Sequence, residues 1–416
     1  MADMGNMPQS RDRRLENLND TLRRAREKSR FYARFLPDGP ALRLRSLDEL
    51  RRMPFTEEPD LSLGIEEFLC VHPIAVARIV SLQTSGSTGA PKRIAFTDAD
   101  IQSIVRYFSF GMSQIVRPGE RVMICLPGDS GYRVPHLLSL GIMDFGGFPT
   151  VYGPISDTDD AVKFTANLKP NCIVGIPVQV MALAERCAEA NRVPRPESVL
   201  LTADYAASSL KRRISEAFGC RVFNHYGSTE MGYGGALECS HGSGLHIRDD
   251  DLYFEIIDPR SGGAMPPGQE GELVFTTLTR KGMPLIRYRT GDFASFIAAP
   301  CGCGRTSMRI SSPWRMRGNF LQLPGRRLTM PELDETLFSC PQVMDYSVSH
   351  ASTPRGDLLL NLRVWASGKF RLSDTSKLKT LVEDILPDCV RVDIKIAGAD
   401  ETSPGLLGKR LLGTVA

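Results

Sequence analysis

The chain has 416 residues, 42% hydrophobic and 24% charged, and carries 51 Lys plus Arg against 48 Asp plus Glu for a formal net charge of +3. At about 100–200 residues per domain, this length predicts two to four domains. The balanced charge excludes a strongly basic nucleic-acid binder and an acidic disordered chain, so nucleic acid is not an expected partner.

Residues 1–10 are polar and read as disordered. From Arg11 to Phe35, Leu15, Leu18, Leu22, Ala25 and Tyr32 fall near one face, which predicts a helix. Asp12, Glu16, Asp20 and Glu27 among its arginines argue against a transit peptide. Leu47 to Met53 reads as a short helix ended by Pro54. Val76 to Leu82 is β-branched enough for a strand and leads into a Gly/Ser/Thr segment. Asp98 to Ile115 predicts a helix, Arg121 to Leu126 a strand, and Asp129 opens a loop. The most apolar stretch, Leu137 to Phe148, is cut by Ser139, Gly141 and Asp144 and falls short of the about 20 residues a membrane span needs. With no signal-peptide core either, a cytoplasmic protein off the membrane is expected.

Strands at Cys172–Gly175 and Ser198–Leu201 alternate with helices at Val178–Ala190 and Ser208–Phe218, which predicts a parallel sheet with crossovers. After Gly219, strands at Leu252–Ile257 and Gly271–Thr277 flank a Gly/Pro-rich turn. A domain break is expected near Arg309 to Gly318. Beyond it, a helix at Pro331–Phe338, strands at Tyr346–Ser349 and Leu358–Val364, and a helix at Lys377–Ile385 suggest a small α+β domain. The expected division is therefore 1–315 and 316–416.

Thr84-Ser85-Gly86-Ser87-Thr88-Gly89-Ala90-Pro91-Lys92 has a phosphate-binding composition. Its glycines let the backbone turn N–H groups toward an anion, the hydroxyls add donors, and Lys92 adds charge. It lacks the Gly-Lys-Ser/Thr triplet of a Walker A loop. Most of the ten cysteines sit in apolar surroundings, as Cys125 does, and read as reduced buried thiols. Cys301-Gly302-Cys303 is different. With Cys239 and His246 it supplies three sulfurs and an imidazole, the donor set of a closed tetrahedral zinc site, and His241 competes for the fourth place.

The loop from Thr84 to Lys92 closely resembles the phosphate loop of the adenylate-forming superfamily, which includes acyl-CoA synthetases, nonribosomal adenylation domains and luciferases. His225-Tyr226-Gly227-Ser228-Thr229-Glu230 and Tyr288-Arg289-Thr290-Gly291-Asp292 resemble two further motifs of that family, in the same order. Arg30-Phe31-Tyr32, Leu50 to Thr56, Glu272 to Thr279 and Pro284 to Thr290 resemble its phenylacetate-CoA ligase-like branch. The resemblance implies an α/β fold. A large N-terminal domain of mixed sheets, crossover helices and a small β-barrel-like part would carry a small C-terminal α+β domain.

The implied reaction joins a carboxylic acid to the α-phosphate of ATP as an acyl-adenylate with release of pyrophosphate, and a thiol such as that of coenzyme A then displaces AMP. The resemblance gives Thr84, Ser85, Gly86, Ser87, Thr88, Gly89 and Lys92 to the β- and γ-phosphates. It gives Thr229 to the α-phosphate and Glu230 to magnesium. Tyr226, with Gly227 and Ser228 beside it, would stack on adenine, and Asp292 would hold the ribose hydroxyls. Ala203 and Asp204 would lie beside the adenine. Lys409, in Ser403 to Arg410, resembles the lysine that bridges carboxylate and α-phosphate. Some members of the branch carry a structural zinc on the ligand set Cys239, His246, Cys301 and Cys303. A homodimer is common there. Glu230 has a competing reading as a helix-start cap, and Asp292 as a turn residue.

Arg315-Met316-Arg317-Gly318-Asn319 departs from the family's hinge, with Met316 where an arginine is usual. The expected activity is a carboxylate–CoA ligase acting on an aromatic or otherwise hydrophobic acid. Transfer of the acyl group or AMP to a carrier protein or cofactor is the alternative, and a nucleotide-binding interaction protein that has lost catalysis is a third reading.

Overall fold

The computed structural model describes residues 11–82, 91–128, 133–190, 194–316, 319–323, 325–352, 358–368, 370–398, 403 and 412–414. They fall in two compact units that do not follow chain order. The first draws on residues 1–114, 130–145 and 225–313, and the second on 115–129, 146–224 and 314–416.

In the first unit, the helix expected from Arg11 to Phe35 is two helices, Arg11–Lys28 and Arg30–Phe35. Ser29 breaks it: its extended backbone and its hydroxyl, which accepts from the Tyr32 N–H, start a new helix. Leu18, Leu22 and Ala25 are fully buried, and Thr21 donates to the Leu278 carbonyl at 2.9 Å. The short helix expected from Leu47 is present as the 3-10 helix Leu47–Arg52. Strand Val76–Leu82 pairs antiparallel with Lys92–Thr97, bringing Lys92 opposite Leu82. A Thr97/Asp100 capping box starts helix Asp98–Ser113. Leu252–Ile257, Gly271–Thr277 and Tyr288–Ala294 form an antiparallel ladder with Phe254, Phe275 and Tyr288 in register. A smaller ladder pairs Tyr226 with Ala236, Leu237 with His246, and His246 with Arg309.

The second unit holds the predicted parallel sheet. Its order is Phe148–Val151, Arg121–Cys125, Cys172–Gly175, Ser198–Leu201, then the first residues of Arg221–Tyr226. Helices Thr158–Leu168, Pro177–Glu189 and Ser208–Phe218 make the crossovers. Met123, Ile173 and Val199 are fully buried, as a sheet covered by helices requires. In the C-terminal part, helix Met330–Leu337 is followed by antiparallel strands Val343–Ser352 and Leu358–Ala366. Strands Val390–Ile396 and Leu412–Thr414 pair parallel to these. The helix expected from Lys377 begins five positions earlier and spans Leu372–Glu383, with Arg371 and Asp374 at its start. The fold is α/β with an α+β C-terminal part, as expected.

Candidate functional site

Thr84, Ser85, Gly86, Ser87, Thr88 and Gly89 lie outside the described residues, as do Arg317, Gly318 and Lys409. Lys92, at the start of its strand, is described and buried. Its Nζ stands 2.5 Å from Glu230 Oε1 and 3.2 Å from Glu58 Oε1. Burial alone would depress the Lys92 ammonium, but the two carboxylates outweigh it and raise its pKa. Burial alone would raise the Glu230 carboxyl, and Lys92 outweighs that and lowers it. Each group thus keeps its partner charged.

Glu230 sits on a tight turn that follows strand Arg221–Tyr226. Met231 and Tyr233 donate to the Ser228 carbonyl, Gly232 to Thr229, and Gly235 to Tyr226. Gly227 must lack a side chain, because a Cβ there would meet the Tyr233 carbonyl oxygen at 2.4 Å. Tyr233 holds a left-handed φ of 64°, a strained backbone at the centre of the turn. At the start of the turn, the Tyr226 hydroxyl donates to Asp292 Oδ2 at 2.7 Å. Burial and the Asp292 charge push the Tyr226 hydroxyl well above its ordinary pKa, so it remains a donor. Asp292 is oriented in turn by the Thr290 hydroxyl, which accepts from its N–H at 3.0 Å. One short stretch of chain therefore presents an aromatic ring tied to a carboxylate at one end and a second carboxylate paired with Lys92 at the other.

In the second unit, Ala203 has φ 74°, a conformation rare outside glycine, and the Asp204 Oδ1 accepts from the Tyr205 N–H at 2.9 Å. Nothing in the sequence pattern signalled the Ala203 strain. The sequence also carries no signal for Glu58 or Arg280, and it offers Tyr288 only as part of its motif. Glu58 lies 34 positions from Lys92 in a 3-10 turn. Tyr288 approaches Glu230 Oε1 at 3.4 Å. Arg280 donates to the Glu230 carbonyl at 2.7 Å.

The smaller ladder of the first unit gathers the predicted cysteines. The ligand atoms of Cys239, His246, Cys301 and Cys303 all lie within 4.8 Å of one another. Cys239 Sγ is 3.5 Å from Cys301 Sγ, and Cys303 Sγ is 3.3 Å from His246 Nε2. Thiolates around a tetrahedral ion at about 2.3 Å stand about 3.8 Å apart, so this spacing fits a zinc ion. His246 Nδ1 lies 2.9 Å from Ser307 Oγ, which fixes the ring with Nε2 toward the sulfurs. The backbone N–H of Cys303, with other bonds in the cluster, holds the Cys301 thiol down at about 5. His241 is not in the cluster. It lies against Gly302, where a Cβ would approach its Cδ2 at 2.8 Å.

The model of the AMP-binding enzyme family matches residues 76–278. The phenylacetate-coenzyme A ligase of Thermus thermophilus is 29% identical over 333 residues, covering 77% of this chain and 73% of the relative. That of Pseudomonas putida is 27% identical over 363 residues, covering 82% and 78%. A crystal structure of 2-hydroxyisobutyryl-CoA ligase in the postadenylation state superposes with a TM-score of 0.82 at 21% identity, covering 95% of this chain and 88% of that one.

Proposed function

Because the chain belongs to the adenylate-forming superfamily, in its phenylacetate-CoA ligase-like branch, it is an AMP-forming acyl-CoA ligase, and we propose that its acid is aromatic or hydrophobic and phenylacetate-like. The observation that carries the site reading is the turn from Tyr226 to Glu230. Its two ends hold the Asp292 bond and the Lys92 pair. A ring beside a carboxylate suits a nucleoside, because a carboxylate can accept from two hydroxyls at once. In this reading Tyr226, flanked by Gly227 and Ser228, stacks on adenine and Asp292 holds the ribose.

The remaining roles follow from where charge must be held. Thr84, Ser85, Gly86, Ser87, Thr88, Gly89 and Lys92 would take the β- and γ-phosphates, and Thr229 the α-phosphate. Glu230 would hold magnesium, a hard cation that prefers carboxylate oxygen. When bound, magnesium neutralises phosphate charge. The Glu230 carboxylate that would hold the ion is the one that pairs with Lys92 here, and the Lys92 ammonium would serve phosphate. Lys409 would bridge the carboxylate and the α-phosphate during adenylation. The hydrophobic side chains of Val151, Tyr152 and Met231, together with the relatives' activity on phenylacetate, support the choice of acid.

A carboxylate panel in the pyrophosphate-exchange assay tests this. Phenylacetate-like acids should give exchange at least about tenfold faster than short polar acids, which is about 1.4 kcal/mol of preference. Adding coenzyme A should then release AMP and form the thioester. Preference for a short hydroxy acid would overturn the substrate assignment.

We also propose that Cys239, His246, Cys301 and Cys303 hold a structural zinc. The ion would clamp the loop that follows the Tyr226 turn without entering the chemistry. Metal analysis of carefully prepared protein should find about one zinc per chain, as a four-ligand site requires. Cys301→Ser with Cys303→Ser should lose that zinc and lower the melting temperature, because binding energy at a structural site is folding energy. Wild-type protein free of zinc would remove the site.

A further inference from the structure

Arg280 is a charged side chain with only 8% of its surface exposed, and among the described residues it makes no ion pair. Its NH1 donates to the Glu230 carbonyl at 2.7 Å, and its guanidinium stands over the Phe96 ring, 5.0 Å from the centroid. A buried cation without a direct counter-ion is costly. Three features of the surroundings offset that cost. The cation–π contact with Phe96 is one. The partial negative charge of the Glu230 carbonyl is another. The carboxylates of Asp100, Glu230 and Asp251 supply the third from beyond contact distance. Arg280 also lines a cavity of ≈ 1180 Å³ with Phe96, Met231 and Gly232.

The bond from Arg280 meets the turn at one residue, Glu230, whose side chain pairs with Lys92. The turn is strained at Tyr233, whose φ is 64°. A strained turn keeps its geometry only if its surroundings over-determine it. Arg280 supplies that constraint from behind and adds positive potential to the peptide that carries the carboxylate.

We propose that Arg280 is a positioning residue for Glu230, holding its backbone so that the carboxylate faces the metal–nucleotide complex. This rests on the reading of Glu230 as the magnesium residue. Loss of Arg280 should therefore act on magnesium and nucleotide together while leaving the carboxylic acid alone.

The test is a binding titration of MgATP to purified Arg280→Met, Arg280→Lys and wild-type protein, repeated over a range of free magnesium. In Arg280→Met, Kd for MgATP should rise about tenfold and the magnesium concentration for half-maximal binding should rise by a similar factor, in the range seen for residues that orient metal ligands. Arg280→Lys keeps a charged donor and should stay within about threefold of wild type on the same scale. In pyrophosphate exchange, kcat should fall in Arg280→Met while KM for the acid stays unchanged. Should Arg280→Met fail to fold, Arg280→Gln against Arg280→Lys makes the same comparison of neutral with charged. A folded neutral variant whose magnesium dependence matches wild type overturns the proposal, as does a variant whose ATP affinity without magnesium falls equally. If wild type binds MgATP but exchanges pyrophosphate with no acid, the proposed activity fails, and the magnesium titration still decides the role of Arg280.

Discussion

Lys409→Ala should lower carboxylate-dependent pyrophosphate exchange about a thousandfold, while thioester formation from a supplied acyl-adenylate stays close to wild type. Two anions must meet in the first half-reaction, the attacking carboxylate and the α-phosphate. At about 4 Å and an effective dielectric of about 20, two unit charges repel by about 4 kcal/mol. At about 1.36 kcal/mol per tenfold, relieving that repulsion is worth about three powers of ten. The second half-reaction starts from a mixed anhydride whose carboxyl carbon carries no charge, and its nucleophile is a sulfur, so a cation placed between carboxylate and phosphate has nothing further to offset. Equal losses in the two half-reactions would take Lys409 out of this role.

How much of the protein was legible in its sequence depended on the kind of signal each element carries. The strands Cys172–Gly175 and Ser198–Leu201 were readable to the residue, because a covered parallel strand is a continuous apolar run between polar turns. Helix Val134–Asp144 reads from the sequence only as an apolar stretch, since its pattern is hydrophobic on most sides and carries no capping residue at Arg133. Helix Thr158–Leu168 was missed although Asp157 caps it, because two buried residues per three turns leave a weak stripe. The break at Ser29 was missed because the apolar spacing continues through it.

The site divides in the same way. Cys239, His246, Cys301 and Cys303 were legible because few chemistries use that donor set. The choice of His246 over His241 was not. It depends on ladder register, which sets His246 opposite Arg309 and leaves His241 in the turn. Glu58 and Arg280 had no signal at all, because each acts through a tertiary contact with a residue far along the chain.

Glu230→Gln is expected to cost both stability and adenylation, and the two costs can be separated. Lys92 and Glu230 are both buried, and their charged atoms stand 2.5 Å apart. Breaking a buried pair by removing one partner costs about 3–5 kcal/mol, and the remaining Glu58 bond to Lys92 should hold the loss near about 2 kcal/mol. The pH dependence has a definite sign. The Glu230 carboxyl is depressed in the folded protein, so its contribution is present above the unfolded value of about 4.3 and is lost as pH falls through the lower folded value. The Lys92 ammonium is raised, so its contribution is present below about 10.4 and is lost as pH rises through the higher folded value. The stability gap between wild type and Glu230→Gln should therefore be flat from about pH 5 to pH 10 and narrow on either side. Urea unfolding of both proteins across that range measures it.

Adenylation should fall about a hundredfold at pH 7, the scale of losing one stabilising group in a preorganised site. Raised magnesium should recover part of it, because a weakened metal site refills by mass action. A variant that loses stability as expected but exchanges pyrophosphate at the wild-type rate would leave Glu230 as a structural partner of Lys92. The metal role would then pass to another carboxylate, and Glu58, already in contact with the same ammonium, is the first to test.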